Sequence, residues 1–199
     1  MPEGDLIVDF FELAKQRRSI RRYSARQISK EDLKKIIEAG LYAPNAGGGQ
    51  RTVIAAIHNR ELCKKIGIMN LSSFNRNNLA GSCVSKEQPS VIDDPSIKNG
   101  FYGAPTVCAV FAPDNFLYSV PDAFCCAENM ALAAYALGID SCIIARGEET
   151  FNNPFGDNLI KKRKIPAGYT ARCFVILGYH SGDYPSPKPR KANRSLIIE

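Results

Sequence analysis

Four short runs constrain this chain more than any other feature: 52–58, 105–112, 141–145 and 172–179 are apolar and rich in β-branched residues. Runs of this length and composition read as strands. Between and around them, apolar residues recur at helical spacing. Leu6, Ile7, Phe10, Phe11, Leu13 and Ala14 predict an amphipathic helix over 6–17, with Asp5 as candidate N-cap. Ser29-Lys30-Glu31-Asp32 has the form of a capping box, and Leu33, Ile36, Ile37 and Leu41 continue on one face until Pro44 stops the helix. A short helix near 60–66, a long one over 122–137 and another within 155–163 follow. The face made by Ala123, Ala127, Met130, Ala131, Ala134 and Leu137 is small enough for close packing.

Two stretches lack period. Residues 68–100 are rich in Asn, Ser, Gly, Asp and Pro and read as a lid or excursion, with a partly helical subdomain as the alternative; 181–199 reads as an extended arm. With 199 residues, 45% of them hydrophobic, the chain is expected to form one domain over 1–199. No apolar run is long enough to span a membrane, and the first residues are acidic where a secretory leader is basic, so a soluble, cytoplasmic protein is expected. The seven cysteines (Cys63, Cys83, Cys108, Cys125, Cys126, Cys142 and Cys173) lack CxxC spacing, and most sit inside apolar runs, so they read as buried reduced thiols. His58 and His180 have no carboxylate or cysteine at ligand spacing, so no metal is expected. Ala46-Gly47-Gly48-Gly49-Gln50 matches neither the GK[ST] phosphate loop nor GxGxxG.

The net charge of +6 is unevenly placed: +2 over residues 1–26, −3 over 27–160 and +7 over 161–199. Such asymmetry suggests an anion held between the two ends of the chain. Arg17-Arg18-Ser19-Ile20-Arg21-Arg22 would suit a phosphate, although cations also favour a helix C-terminus by themselves. Residues 43–50 (APNAGGGQ) let backbone approach a flat ligand, or form only a flexible turn. Ala145-Arg146-Gly147 ends a strand, where ligands of αβ sheets gather. Lys188-Pro189-Arg190-Lys191 is a second phosphate clamp if the arm folds back, and a basic tail if it does not.

Taken in order, RRSIRRYS at 17–24, APNAGGGQ at 43–50, YGAPTVCAVFAP at 102–113, the helix and strand at 122–144, and IPAGYTARCFVILGY with KPRK at 165–191 resemble the FMN-dependent nitroreductase family. The resemblance implies an α+β, nitroreductase-like fold: a central, mostly antiparallel sheet flanked by helices, in an intertwined homodimer with FMN at the interface. By analogy Arg17, Arg18, Ser19 and Arg21 meet the phosphate, ribityl chain and pyrimidine edge, and Lys188 and Arg190 complete the phosphate site. Pro44, Asn45, Ala46 and Gly48 come from the other subunit, Gln50 is counted with the cofactor residues, and Arg146 and Gly147 lie by flavin N5 through backbone groups. The family often has Asn and then Gln-Pro-Trp or Gln-Pro-Phe where this chain has Gly48 and then Gln50-Arg51-Thr52.

The implied activity is ping-pong transfer of hydride from NADH or NADPH, through flavin N5, to a nitroaromatic, quinone or similar planar acceptor. No catalytic side chain is then required. Phe74 and Tyr102 are candidate lid residues, and Cys125 and Cys126 read as core packing. Two other readings stay open: a relative that stores or consumes flavin without this turnover, and a basic nucleic-acid module. No Trp and no interleaving of aromatics with the basic residues argue against nucleic acid, and no membrane partner is expected.

Overall fold

A computed structural model of the protein describes residues 9–73, 94 and 96–199. Asp5, Leu6, Ile7, Phe74, Cys83 and most of the 68–100 stretch lie outside the described residues. The elements, in chain order, are α1 (Phe10–Gln16), α2 (Lys30–Leu41), a 3-10 turn (Ala46–Gly48), β1 (Val53–Ile57), α3 (Arg60–Ser72), β2 (Thr106–Pro113), α4 (Ser119–Ala136), β3 (Asp140–Ile144), α5 (Pro154–Lys162) and β4 (Tyr169–Gly178).

Local chemistry sets the helix starts. Asp9 caps α1 by accepting from the Phe11 N–H, Ser29 caps α2 from the Asp32 N–H, Asn59 caps α3 from Leu62, and Asn153 caps α5 from Gly156. The capping box is reciprocal in part, since the Ser29 hydroxyl also donates to the Asp32 carboxylate at 2.7 Å.

The four strands form one antiparallel sheet in the order β1-β2-β4-β3. β2 and β4 occupy the middle and are buried on both faces, which is why they read as continuous apolar runs. One face packs on α2 and α4 through Cys108, Val110, Val175 and Leu177. The other carries Val107, Ala109, Phe174 and Ile176 under Phe101, Phe151 and the α3 residue Ile66. Helix α4 lies close because its sheet-facing residues are small: Ala123, Ala127, Ala131 and Ala134 are fully buried with Met130. Gly40 of α2 completes that contact, since a Cβ there would stand 2.6 Å from the Met130 Cγ.

Several expectations shift. α3 continues to Ser72, into the stretch that showed no period, and β4 begins three residues earlier than 172. Leu137 is not part of the buried α4 face; it is the C-cap and is partly exposed. Cys125 is exposed while Cys126 is buried, because Cys126 lies with Ala123, Ala127 and Met130 on the α4 face that meets the core and Cys125 turns off that face. Among the described residues, no helix is long and apolar enough to cross a membrane.

Candidate functional site

The two basic ends of the chain run beside one another. After α1, the segment 17–24 hooks onto the outer edge of β3: the Ile20 N–H donates to the Ser141 carbonyl at 2.9 Å, and Ser19 pairs with Ser141. The chain leaving β4 then lies antiparallel to it. Ser24 N–H donates to the Tyr179 carbonyl at 2.8 Å, Tyr23 pairs with His180, and Ser181 N–H donates to the Arg22 carbonyl at 3.1 Å. Tyr184 fastens the outer end, its hydroxyl accepting from the Arg18 N–H at 3.1 Å and donating to the Gln16 carbonyl at 3.3 Å. Burial raises the pKa of that phenol, opposed by the bond from Arg18.

Two cavities flank this crossing. The first, about 550 Å³, is lined by Phe11, Lys15, Gln16, Arg18, Lys188 and Arg190 among others. Its described lining holds four cations and no carboxylate, a surrounding that favours an anion. Lys15 is engaged with Glu12 at 2.7 Å. Arg18 does two things at once: Nη1 and Nη2 donate to the Arg17 and Lys15 carbonyls at 2.6 Å each, closing the end of α1, while Nε is buried without a partner among the described residues. Arg18 thus serves the end of the helix and also lines the cation-rich cavity.

The second cavity, about 570 Å³, is lined by Ser19, Arg21, Arg22, Tyr102, His180 and Asp183, with Asp94, Ser96 and Ile97 closing one side. Burial raises the pKa of the Cys142 thiol on β3, opposed first by the charge of Arg21, then by Ser19 and Arg17. Arg17 itself lines neither cavity; its Nε lies 3.9 Å from Glu128 on the flank of α4.

The other expected site residues lie apart within the protomer. Pro44, Asn45, Ala46, Gly48 and Gln50 form a turn at the N-terminal end of α4, where the Asp122 carboxylate accepts from the Ala46 N–H at 3.0 Å and Asn45 Oδ1 accepts from the Gln50 N–H at 2.8 Å. Gly47 and Gly48 have φ of 60° and 64°, the left-handed region in which glycine is favoured. Asp122 and Glu128 are separated by six residues, about 9 Å of helix, so the turn and the basic crossing occupy different levels of α4. The Arg146 carbonyl accepts from Asn70 Nδ2 at 2.7 Å. Gly147 is there because the β4 backbone is close: a Cβ would meet the Ala171 carbonyl oxygen at 2.5 Å. Arg172 of β4 holds the same loop through Glu148 at 2.8 Å, and also pairs with Asp114 just after β2 at 3.2 Å.

Sequence reasoning missed Tyr184, Asn70 and the pair Asp140–His180, in which the His180 N–H and Nδ1 both lie within hydrogen-bond reach of one Asp140 oxygen, at 2.6 and 2.7 Å. In the sequence His180 has no carboxylate or cysteine at ligand spacing and so no role. The pair is separated by 40 residues, and only the antiparallel pairing of β3 with β4 brings it together.

Comparison with known proteins agrees with this architecture. The family model described as Nitroreductase family matches residues 14–179. A protein of Archaeoglobus fulgidus named as an NADH dehydrogenase/NAD(P)H nitroreductase is 33% identical over 127 residues, 63% of this chain and 60% of that relative, so the match spans less than two thirds of the relative's length. Among solved structures, a nitroreductase with bound FMN from Bacteroides fragilis superposes with a TM-score of 0.79 at 28% identity, covering 96% of this chain and 99% of the other. A second, also with bound FMN, from Desulfitobacterium hafniense, gives 0.76 at 25% identity, covering 96% and 98%. With the family match running from α1 to the end of β4, and the same α+β fold in both solved structures, the chain belongs to the nitroreductase family.

Proposed function

We propose that this protein is an FMN-dependent NAD(P)H oxidoreductase acting as a cytoplasmic homodimer, in which 1–199 forms one domain. The observation that carries the reading is the meeting of the chain's basic ends, which gathers Arg18, Lys188 and Arg190 around one cavity. An FMN phosphate carries nearly two negative charges and three strong acceptor oxygens. The donor set fits it: three long cationic side chains, with the buried Nε of Arg18 aimed at no other described acceptor.

Lys188, Arg190 and Arg18 hold the phosphate in this reading, with Arg17 adding positive charge from the flank of α4. Ser19 and Arg21, one step along the same extended segment, serve the ribityl chain and the pyrimidine edge in the adjoining cavity. There Arg21 stabilises negative charge on the ring system. When bound, FMN supplies hydride transfer at N5, taking from NADH or NADPH and giving to a nitroaromatic, quinone or other planar acceptor in ping-pong order. The Arg146–Gly147 backbone is the protein's contribution beside that atom, and Asn70 fixes its position by bonding the Arg146 carbonyl. Solvent provides protons, so no nucleophile or paired carboxylates are required.

Pro44, Asn45, Ala46, Gly48 and Gln50 reach the flavin of a second copy. Two observations support this. The turn sits at a different level of α4 from the basic crossing, and Leu41, Tyr42, Leu117, Tyr118 and Val120, which flank it in sequence or follow at the start of α4, expose apolar surface that a second chain would cover.

The test begins with the absorption spectrum of the pure protein supplied with FMN, recorded before and after anaerobic addition of NADH or NADPH. A stoichiometric flavin band that the nicotinamide bleaches is expected. A protein that binds no flavin, or a yellow one that neither nicotinamide bleaches, overturns the reading. The double substitution Lys188→Ala, Arg190→Ala removes two charge-assisted contacts worth about 1.5–3 kcal/mol each, so FMN affinity should fall at least a hundredfold with the melting temperature of the apoprotein unchanged.

A further inference from the structure

The Asp140–His180 pair is not absorbed by the phosphate clamp, yet it sits in the adjoining cavity. Asp140 opens β3 and is buried; His180 follows β4, with its ring lining the cavity beside Ser19, Arg21 and Tyr102. A single carboxylate oxygen takes both the backbone N–H and Nδ1 of His180. Because a carboxylate accepts, Nδ1 carries the hydrogen, which fixes the tautomer and leaves Nε2 as the open nitrogen on the far edge of the ring. Tyr184 packs edge-on against the imidazole with centroids 5.4 Å apart, so the ring is held by a bond on one side and an aromatic contact on another. A surface histidine placed by chance has neither restraint.

We propose that His180, oriented by Asp140 and Tyr184, is a flavin-contacting residue: with Nδ1–H given to Asp140, its Nε2 accepts from a flavin donor, a ribityl hydroxyl or the ring N3–H, in the cavity lined by Ser19, Arg21 and Tyr102. The inference rests on the FMN reading above. Such donors lie on the part of the flavin that the functional reading assigns to Ser19 and Arg21, the ribityl chain and the pyrimidine edge. The charged and titratable groups around it are Asp140 on β3, Arg21, Arg22 and Tyr23 on the segment after α1, Asp183 and Tyr184 on the outgoing arm, Tyr102 before β2, and Asp94. Asp140 acts through His180 and is a positioning residue.

The chain contains two histidines, which makes the experiment direct. His58 is an internal control, since its Nε2 already bonds the Ile28 carbonyl at 2.9 Å. Imidazole nitrogen NMR spectra of the full chain, with and without FMN, should show the His180 Nε2 signal shifting on binding while His58 stays in place. In parallel, FMN dissociation constants are measured at one pH for wild type, His180→Phe and His180→Gln. The Phe variant, which has no acceptor, should bind about tenfold more weakly than wild type. The Gln variant, whose amide oxygen accepts, should lie between them. Melting curves identify a variant that fails to fold, and the wild-type spectra carry the test in that event. FMN binding with an unmoved His180 signal and equal dissociation constants in all three proteins overturns this inference alone, whereas absence of FMN binding to wild type overturns it together with the functional reading.

Discussion

Cys125 and Cys126 show how far residue type alone reaches. Both stand in an apolar helical run, and the expectation of buried thiols holds for Cys63, Cys108, Cys126, Cys142 and Cys173 but not for Cys125, which turns to solvent. The helical period settles this only once the buried face of α4 is known, and that face is chosen by the sheet beneath it. Burial pushes the Cys63 and Cys126 thiols up to about 11 and Cys173 to about 12. In the unfolded chain a thiol ionises near ~8.5, so between that value and about 11 the unfolded state has lost protons that the native state keeps. Stability from these groups is complete below the unfolded value and is lost as pH rises through the folded one. The urea midpoint should therefore be lower at pH 10 than at pH 7. Peptide mapping after brief iodoacetamide treatment at pH 8 should find Cys125 modified well before the five buried thiols. Equal labelling of Cys125 and Cys126 would contradict the assigned face of α4.

At the level of elements, what was legible was what is local. The Ser29 capping box, the Pro44 stop and the apolar strand runs each depend on residues a few positions apart, and each element was found to within a few residues. The second half of α3 was not, because Gly67, Asn70 and Ser72 weaken its pattern and its anchors are distant in sequence. The Gly100 N–H donates to the Gly67 carbonyl at 2.8 Å, and Asn70 Nδ2 bonds both the Arg146 carbonyl and the Thr150 hydroxyl, at 2.7 and 2.9 Å. The same distance in sequence hid the division of the arginine segment between two cavities, while the charge excess at both chain ends made their meeting legible. Asn70 thus joins α3 to the loop that carries Arg146 and Gly147. Replacing it by Ala leaves a buried carbonyl and hydroxyl short of a partner, which should cost about 1–3 kcal/mol. Amide exchange should accelerate across 147–152 more than in β2 or β4. Uniform acceleration over the whole sheet would mean that Asn70 supports the fold at large and not this loop.

For the whole molecule, the surface is as informative as the core. Leu196, Ile197 and Ile198 at the end of the arm are about nine-tenths exposed, at 89%, 90% and 93%, and Phe10 and Phe11 of α1 are also open to solvent. Three consecutive aliphatic side chains gain about 1.5–3 kcal/mol each on full burial, an upper bound near 9 kcal/mol that a lone protomer does not collect. Under the proposed dimer, a second copy covers this segment, and the residues assigned to the flavin are divided between the two chains. Oligomeric state and cofactor content should therefore change together. A chain ending at Arg194 keeps the entire sheet, both faces of the core and the cation-lined cavity, so its protomer should fold. It should sediment as a monomer at micromolar concentrations where the full chain is expected to be a dimer, because losing even 4 kcal/mol weakens association about a thousandfold. FMN should be lost in parallel, although Arg18, Lys188 and Arg190 remain. A truncated chain that stays dimeric and keeps stoichiometric FMN would show that the terminal residues take no part in assembly, and would leave the apolar surface around the 44–50 turn to hold the two copies together.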